Sequence, residues 1–330
     1  MSTHSVNIIE IERILPHANA ERLEIIPVNG WQAVVKKGQF APGDRAIYIE
    51  PDYTVPTARE EFSFLAKEGR DRHRLKAIRL RSALSFGLLI PVPDELAGRE
   101  IGADVMSDLG IERYEPPVKL ARSDELPPDL HPKVYSSKFD VEGLKKFPAI
   151  IELGEPVIVT EKIHGANARY LFSDGEFYMG SRSQWLKPDT GHPWKRAADT
   201  DARIRSWCEA HPDVVLYGEI YGAVQSLKYG CRPGDIRFAA FAALAGGEWM
   251  DTGLLLAEPP EALPTVPVVY HGLFDPVVLD LAEKDSTVPG ADDGHMREGL
   301  VIVPERERRH DDIGRVALKH ISNRYWESAA

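Results

Sequence analysis

Along the first hundred or so residues the apolar positions come in short runs broken by turn residues. Val6–Ile14, Leu23–Val28, Trp31–Val35 and Arg45–Ile49 are rich in β-branched side chains and predict strands. Asn29-Gly30 and Pro42-Gly43-Asp44 supply turns between them, and a further pair of strands is predicted at Leu75–Leu80 and Gly87–Pro91. Short strands at this spacing predict a small barrel of the OB type; an SH3-like barrel has much the same pattern. A stretch without apolar period follows, carrying Pro116, Pro117, Pro127, Pro128 and Pro132, and reads as a linker or an extended strap.

From about Val134 the pattern changes to longer apolar runs mixed with helical ones. Strands are predicted at Val157–Glu161, Ala168–Phe172, Glu176–Met179, Val214–Tyr221, Ile236–Leu244, Gly299–Val303 and Arg315–Lys319, with a hairpin turn at Ser173-Asp174-Gly175. Trp194–Ala210 predicts a surface helix with Ile204 and Trp207 on one side, and Asp275-Pro276 predicts the start of a helix reaching about Lys284. The expected organisation is a barrel over residues 1–115, a linker over 116–133 and a mixed α+β domain over 134–330.

Composition narrows the class. At 330 residues, 43% hydrophobic and 28% charged, the chain is long enough for two soluble globular domains. It has no apolar run of membrane-spanning length, and MSTHSVNIIEIERI lacks a basic segment followed by an apolar one, so neither a membrane partner nor a signal peptide is expected. The two cysteines, Cys208 and Cys231, have no metal-ligand spacing, which fits a reducing cytoplasm. A net charge of −11 argues mildly against nucleic acid as a partner. The cations are unevenly spread, however, with Arg70, Arg72, His73, Arg74, Lys76, Arg79 and Arg81 crowded together. Such a run is either a solvated strand face or a contact for phosphates.

The chemistry concentrates in Val159-Thr160-Glu161-Lys162-Ile163-His164-Gly165-Ala166-Asn167. A lysine at the end of an apolar strand is poorly explained by packing, because lysine is rarely buried without a partner. K-x-x-G alone is common. Here it is followed, in order, by Gly180-Ser181-Arg182-Ser183, by Glu219 within Leu216–Gly222, by Phe238-Ala239-Ala240-Phe241, by Arg297-Glu298-Gly299-Leu300-Val301-Ile302, and by Val316-Ala317-Leu318-Lys319. Taken one at a time, these are a turn, edge-strand acids, core aromatics and a lysine whose stem lies along apolar surface. Their order points to one active site.

This set resembles the motif core of the covalent nucleotidyltransferases, which comprise polynucleotide ligases and mRNA capping enzymes. The wording E-K-I-H-G-x-N, G-S-R-S and Y-G-E-I-Y-G is similar to the RNA ligase 2-like branch. A barrel in front of the catalytic region, opening with ILPHANAERLEIIPVNGWQAVVKKGQFAPGDRAIYIEPD, resembles RNA ligase family 5. The resemblance implies an N-terminal OB domain and an ATP-grasp-like nucleotidyltransferase domain of antiparallel sheets with helices. It implies an ATP-dependent RNA ligase, with Mg²⁺ or Mn²⁺, that forms lysyl-AMP, adenylylates a 5′-phosphate and joins it to a 3′-hydroxyl. The expected partner is a nicked duplex with RNA on the 3′-hydroxyl side, and no obligate protein partner is inferred. The alternatives are a DNA ligase, a capping-type guanylyltransferase, or a non-catalytic RNA-binding protein with a degenerate nucleotide pocket.

Residue by residue, the resemblance makes Lys162 the nucleophile and Lys319 a clamp on the α-phosphate. Gly165 belongs to the loop after the nucleophile. Glu298 and Glu219 suit metal organisation, although Glu219 could equally hold the ribose. Phe241, or failing it Phe238, would stack on adenine. Arg182 would take the 5′-phosphate end or the ribose, and Glu161 a backbone contact to the base. Lys145 and Lys146 are candidates for the β- and γ-phosphates, and Arg72, Arg74, Lys76, Arg79 and Arg81 for nucleic-acid phosphates. There are two departures. The RNA ligase 2 pattern has a second lysine where this chain has Ile321, with His320 or Arg324 as candidate substitutes. The residue two after the nucleophile, acidic in many relatives, is His164.

Overall fold

In the computed structural model, which describes residues 4–114 and 121–329, Asn29 and Gly30 both take left-handed backbone, with φ of 47° and 71°. That turn pairs Leu23–Val28 with Trp31–Lys36. The chain divides into two compact units, one of Thr3–Pro116 with Trp326–Ala330 and one of Met1–Ser2 with Pro117–Tyr325. The first is built from short strands. Ile8–Glu10, Arg45–Ile49 and Leu88–Pro91 form one sheet, Leu15–Pro16 extends the Asn29-Gly30 hairpin, and Tyr53–Pro56 pairs with both Arg72–Arg74 and Glu112–Arg113. The expected strand Val6–Ile14 is split: the ladder ends at Ile11, whose N–H still donates to the Asp44 carbonyl while its own carbonyl accepts from the Gly43 N–H, the Asp44 N–H being turned to Ala41. Ile8, Ile47, Ile49, Val55, Phe62 and Leu109 are fully buried in its core.

Several cations of the basic run are committed within this unit. The Arg72 guanidinium donates to the Thr54 and Gly110 carbonyls, at 3.1 and 2.8 Å. Arg74 pairs with Asp52 at 2.5 Å and lies over the Tyr114 ring, and Arg79 pairs with Glu327 at 2.8 Å. Arg72 and Arg74 therefore brace their own strands, and the surface-exposed members are Arg70, Lys76, Arg79 and Arg81. A helix at Asn323–Ala329, not expected from the sequence, brings Trp326 edge-on to Trp31 and Phe86.

The second unit holds two sheets. One has the order Glu142–Gly143, Leu318–Ile321, Gly299–Pro304, Pro156–Lys162, Val268–Leu273, antiparallel except for the first pair. The other runs Trp185–Leu186, Glu176–Gly180, Ala166–Ser173, Val214–Gly222, Ile236–Ala245, Glu248–Trp249. The segment Ile163–Gly165 is the crossing from one sheet to the other. The expected helix Trp194–Ala210 is two helices, Pro193–Thr200 and Ala202–Ala210; Asp201 separates them and caps the second by accepting from the Arg203 N–H. Their apolar sides cover one face of the second sheet, where Ala168, Tyr170, Leu216, Ile220, Phe238, Trp194 and Ile204 make the main core. The helix expected after Asp275 is a 3₁₀ helix, Pro276–Glu283, capped by Asp275. Of the proline-rich segment, Pro116 and Pro117 lie outside the described residues. Leu126 is buried, and its N–H donates to the Trp185 carbonyl at 2.9 Å, so this part is a strap against the second sheet.

Candidate active site

Side chains opposite one another in a sheet share a face, and faces alternate along each strand. Lys162 stands opposite Gly299, which stands opposite Ile321; the next row on that face is Thr160, Val301 and Lys319. Lys162 and Lys319 therefore project from the same face, one row and two strands apart. Glu161, Leu300 and His320 form a row on the other face. In the second sheet Glu219 stands opposite Asn167 and Ala239, on the face away from the helices. Gly165 allows the two sheets to close up, since a Cβ there would meet the Ile220 carbonyl and lie 2.8 Å from Glu219 Cγ.

Lys162, Glu298 and His164 meet at this crossing. Lys162 Nζ donates to Glu298 Oε1 at 2.7 Å, and Glu298 Oε2 lies 3.7 Å from His164 Nδ1. Burial acts to raise the Glu298 carboxyl, but the Lys162 ammonium and the His164 contact outweigh it and hold the group down at about 2. Glu219 goes the other way. Burial pushes its carboxyl up to about 8, Lys162 draws it down, and the Glu298 charge adds to the rise. Glu298 thus rests as the anion that pairs with Lys162, while Glu219 rests neutral beside it. In this state the Lys162 ammonium is held in an ion pair by Glu298.

The other predicted residues divide. Arg182 is half-buried and pairs with Asp140. Phe241 is the extra residue of a bulge opposite Tyr217/Gly218, half-buried, with its ring 4.4 Å from that of Phe139. Phe238 is not available for stacking on a ligand. It is 2% exposed in the helix-side core, edge-on to Tyr170, because its place in the alternation turns it away from Glu219. Glu161 is also turned from the cleft: its carboxylate accepts from Ser286 Oγ at 2.5 Å and from Thr287 N at 2.7 Å, and its own N–H donates to Pro267 O. That leaves only its carbonyl for the expected backbone contact. Neither substitute for the missing lysine at Ile321 reaches the Lys162 row. His320 faces the opposite side beside Lys145, and Arg324 is bound to Glu283 and Asp285. Lys145 stands near His320 and Glu283, its pKa lowered by burial, and Lys146 lies over the Phe147 ring.

The RNA ligase family model matches residues 155–321, about half of the chain, and an OB-fold domain model matches residues 5–92. The chain belongs to the RNA ligase family. Three solved structures of Naegleria gruberi RNA ligase, two of them variants, match this ligase nearly end to end. A form with AMP and manganese is 26% identical, covering 98% of each chain with a TM-score of 0.80. A form with ATP and manganese is 27% identical, covering 98% of this chain and 99% of that one, also at 0.80. A form with pyrophosphate is 26% identical over 98% of each chain, at 0.77. Among curated proteins none matches. No helix among the described residues is long and apolar enough to cross a membrane.

Residues that the motifs did not single out also stand at this crossing. Asn167 lies opposite Glu219 with a buried Oδ1 that makes no hydrogen bond, and it closes the E-K-I-H-G-x-N string. Asp140, which occupies Arg182, comes from the segment before Glu142–Gly143, where nothing in the sequence marks it. Tyr229 and Ser226 hold the loop after Lys162, through the His164 N–H and ring.

Proposed function

We propose that this RNA ligase is ATP-dependent and works through a covalent nucleotide on Lys162. The observation that carries the reading is the Lys162 ammonium at a sheet crossing, 2.7 Å from Glu298, with Glu219 on the facing sheet. The Lys162 Nζ lone pair attacks the α-phosphorus of ATP, an N–P bond forms, the α–β bridging P–O bond breaks, and pyrophosphate and a proton leave. A 5′-phosphate oxygen then attacks the same phosphorus, returning the electron pair to Nζ and giving an adenylylated end. A 3′-hydroxyl displaces AMP to form the phosphodiester, losing its proton. Lys319, on the same face, neutralises the α-phosphate as charge moves to the leaving group. Phe241 supports the base and Arg182 the sugar or 5′-phosphate, once Asp140 releases it.

The donor set fits a divalent cation. Glu298 Oε2 is buried without a hydrogen bond and Glu219 is the other carboxyl at the site. Among the described residues no cluster of three or more His, Cys, Asp or Glu is placed to hold a metal ion. Glu298 and Glu219 would therefore hold it together with phosphates and water, as Mg²⁺ and its relatives prefer. When bound, the cation supplies neutralising charge to the phosphates and competes with Lys162 for Glu298. The Naegleria gruberi structures with ATP, AMP and manganese support this choice of nucleotide and metal class. The barrel serves the nucleic acid, and the substrate is a nick with RNA on the 3′-hydroxyl side. Cys208 and Cys231 are free thiols, which suits a cytoplasmic enzyme.

The test is labelling with α-labelled ATP or GTP and a divalent cation. A label that survives denaturation, is acid-labile, comes from ATP and vanishes in Lys162→Ala is expected. No covalent label from either nucleotide would sink this mechanism, and label from GTP alone would point to a capping-type enzyme. Sealing of nicks with RNA or DNA at the 3′ end tests the substrate.

A further inference from the structure

Tyr229 is 0% exposed and lies far along the chain from Lys162, yet its hydroxyl oxygen accepts the His164 N–H at 2.7 Å. It reaches that position through a costly backbone. Tyr229 has φ of +49° and Gly230 of +68°, and a Cβ at Gly230 would collide with the Gly290 carbonyl. A tyrosine in left-handed backbone persists only where its surroundings over-determine it. Here they do. The Tyr229 N–H donates to His295 Nε2 at 3.0 Å, and the two rings stack with centroids 4.7 Å apart. His295 Nδ1 is 2.9 Å from the Met296 carbonyl, and Tyr221 meets the tyrosine edge-on. The ring packs beside Ile163, the residue after Lys162, with Ala239, Val266 and Val288.

These contacts tie together the two segments whose side chains must meet. His164 and Ile163 form the turn that Lys162 enters; His295 and Met296 lead into Arg297 and Glu298. We propose that Tyr229 is a positioning residue for adenylylation: its hydroxyl fixes the turn after Lys162 and so the direction in which the nucleophile leaves its strand. The inference rests on Lys162 being the nucleophile. It adds a residue that touches neither the phosphate nor Lys162 itself. Burial, and after it the Glu298 charge, keep the phenol protonated far beyond the working range, so it acts as a fixed neutral group.

The experiment compares wild type with Tyr229→Phe, which keeps the ring and its stacking and removes only the oxygen. Single-turnover formation of the acid-labile label is followed over a series of ATP concentrations. A misaimed nucleophile should lower the maximal labelling rate about ten- to a hundredfold, because displacements of about 1 Å carry penalties of that order. The half-saturating ATP should move less than about threefold, since uniform binding is unaffected. Sealing of RNA that already carries a 5′-adenylate does not use Lys162 as nucleophile and should stay within about threefold of wild type, which also reports an intact fold. An unchanged labelling rate in Tyr229→Phe overturns the proposal. So does a parallel fall in labelling and in sealing of pre-adenylylated RNA, which would make Tyr229 merely structural. If wild type itself takes no label, the Lys162 reading fails and this inference with it.

Discussion

Replacing Arg297 by alanine should unfold the catalytic unit at a much lower temperature, although the residue points away from the cleft. Its guanidinium is 2% exposed and its Nε lies 3.2 Å from Glu161 Oε2, itself 0% exposed. Nη1 donates to the Leu281 carbonyl at 2.6 Å and Nη2 to Thr287 Oγ1 at 3.3 Å. Arg297→Ala leaves the Glu161 carboxylate buried without a cation, and breaking such a pair costs about 3–5 kcal/mol. Ser286 and Thr287 still donate to Glu161, so the low end, about 3 kcal/mol, is the expectation. For a unit of this size each kcal/mol moves the melting temperature about 2–4 °C, giving a fall of about 6–12 °C. The double variant Glu161→Leu/Arg297→Leu removes both charges and should recover a large part of that loss, because an apolar pair has no desolvation to offset. Thermal unfolding by circular dichroism, without nucleotide, reads both variants against wild type. A shift under about 2 °C for Arg297→Ala, or a double variant that melts no higher than Arg297→Ala, would refute the reasoning.

Phe238→Ala should cost about 3–5 kcal/mol of stability as a cavity in the helix-side core, whereas Phe241→Ala should melt close to wild type and instead raise the half-saturating ATP for labelling. In the presence of a chelator, stability should fall as pH rises from about 4.5 to about 8. In that window folded Glu219 keeps a proton that the unfolded chain, titrating at the ordinary 4.5, has released. Glu219→Gln should flatten that slope, and an unaltered pH profile of the melting temperature would count against a neutral Glu219. Ile321→Lys puts a cation in the Lys162 row, across Gly299. At an effective dielectric of about 20 a charge near the phosphates is worth about 1–2 kcal/mol, so half-saturating ATP should fall roughly five- to thirtyfold. No change in ATP titrations of labelling would show that this row does not face the phosphates.

How far the sequence reached depends on whether a feature is local. The strands around Lys162 and Glu219 were legible because each is a continuous apolar run bounded by glycine or by turn residues. Alternation along Leu318–Ile321 is local too. Counting by two from Lys319 already turns His320 to the opposite face, so His320 could have been discounted as a phosphate ligand from spacing alone. The break at Asp201 was likewise open to reading, since Thr200-Asp201 is a cap signal inside the helical run. Phe241 is different. Its exit from the core depends on a bulge between Tyr217/Gly218 and their partners, and one extra residue in a ladder leaves no mark on apolar periodicity. The same holds for the groups that set the state of the lysine. Glu298 could be named from its motif, but its pairing with Lys162 at 2.7 Å depends on register across two strands far apart in the chain. Tyr229 and Asp140 come from loops whose sequences carry no period. A motif therefore marks Lys162, while the tertiary contacts decide that it rests paired with Glu298. On the proposed mechanism, adenylylation begins by breaking that pair.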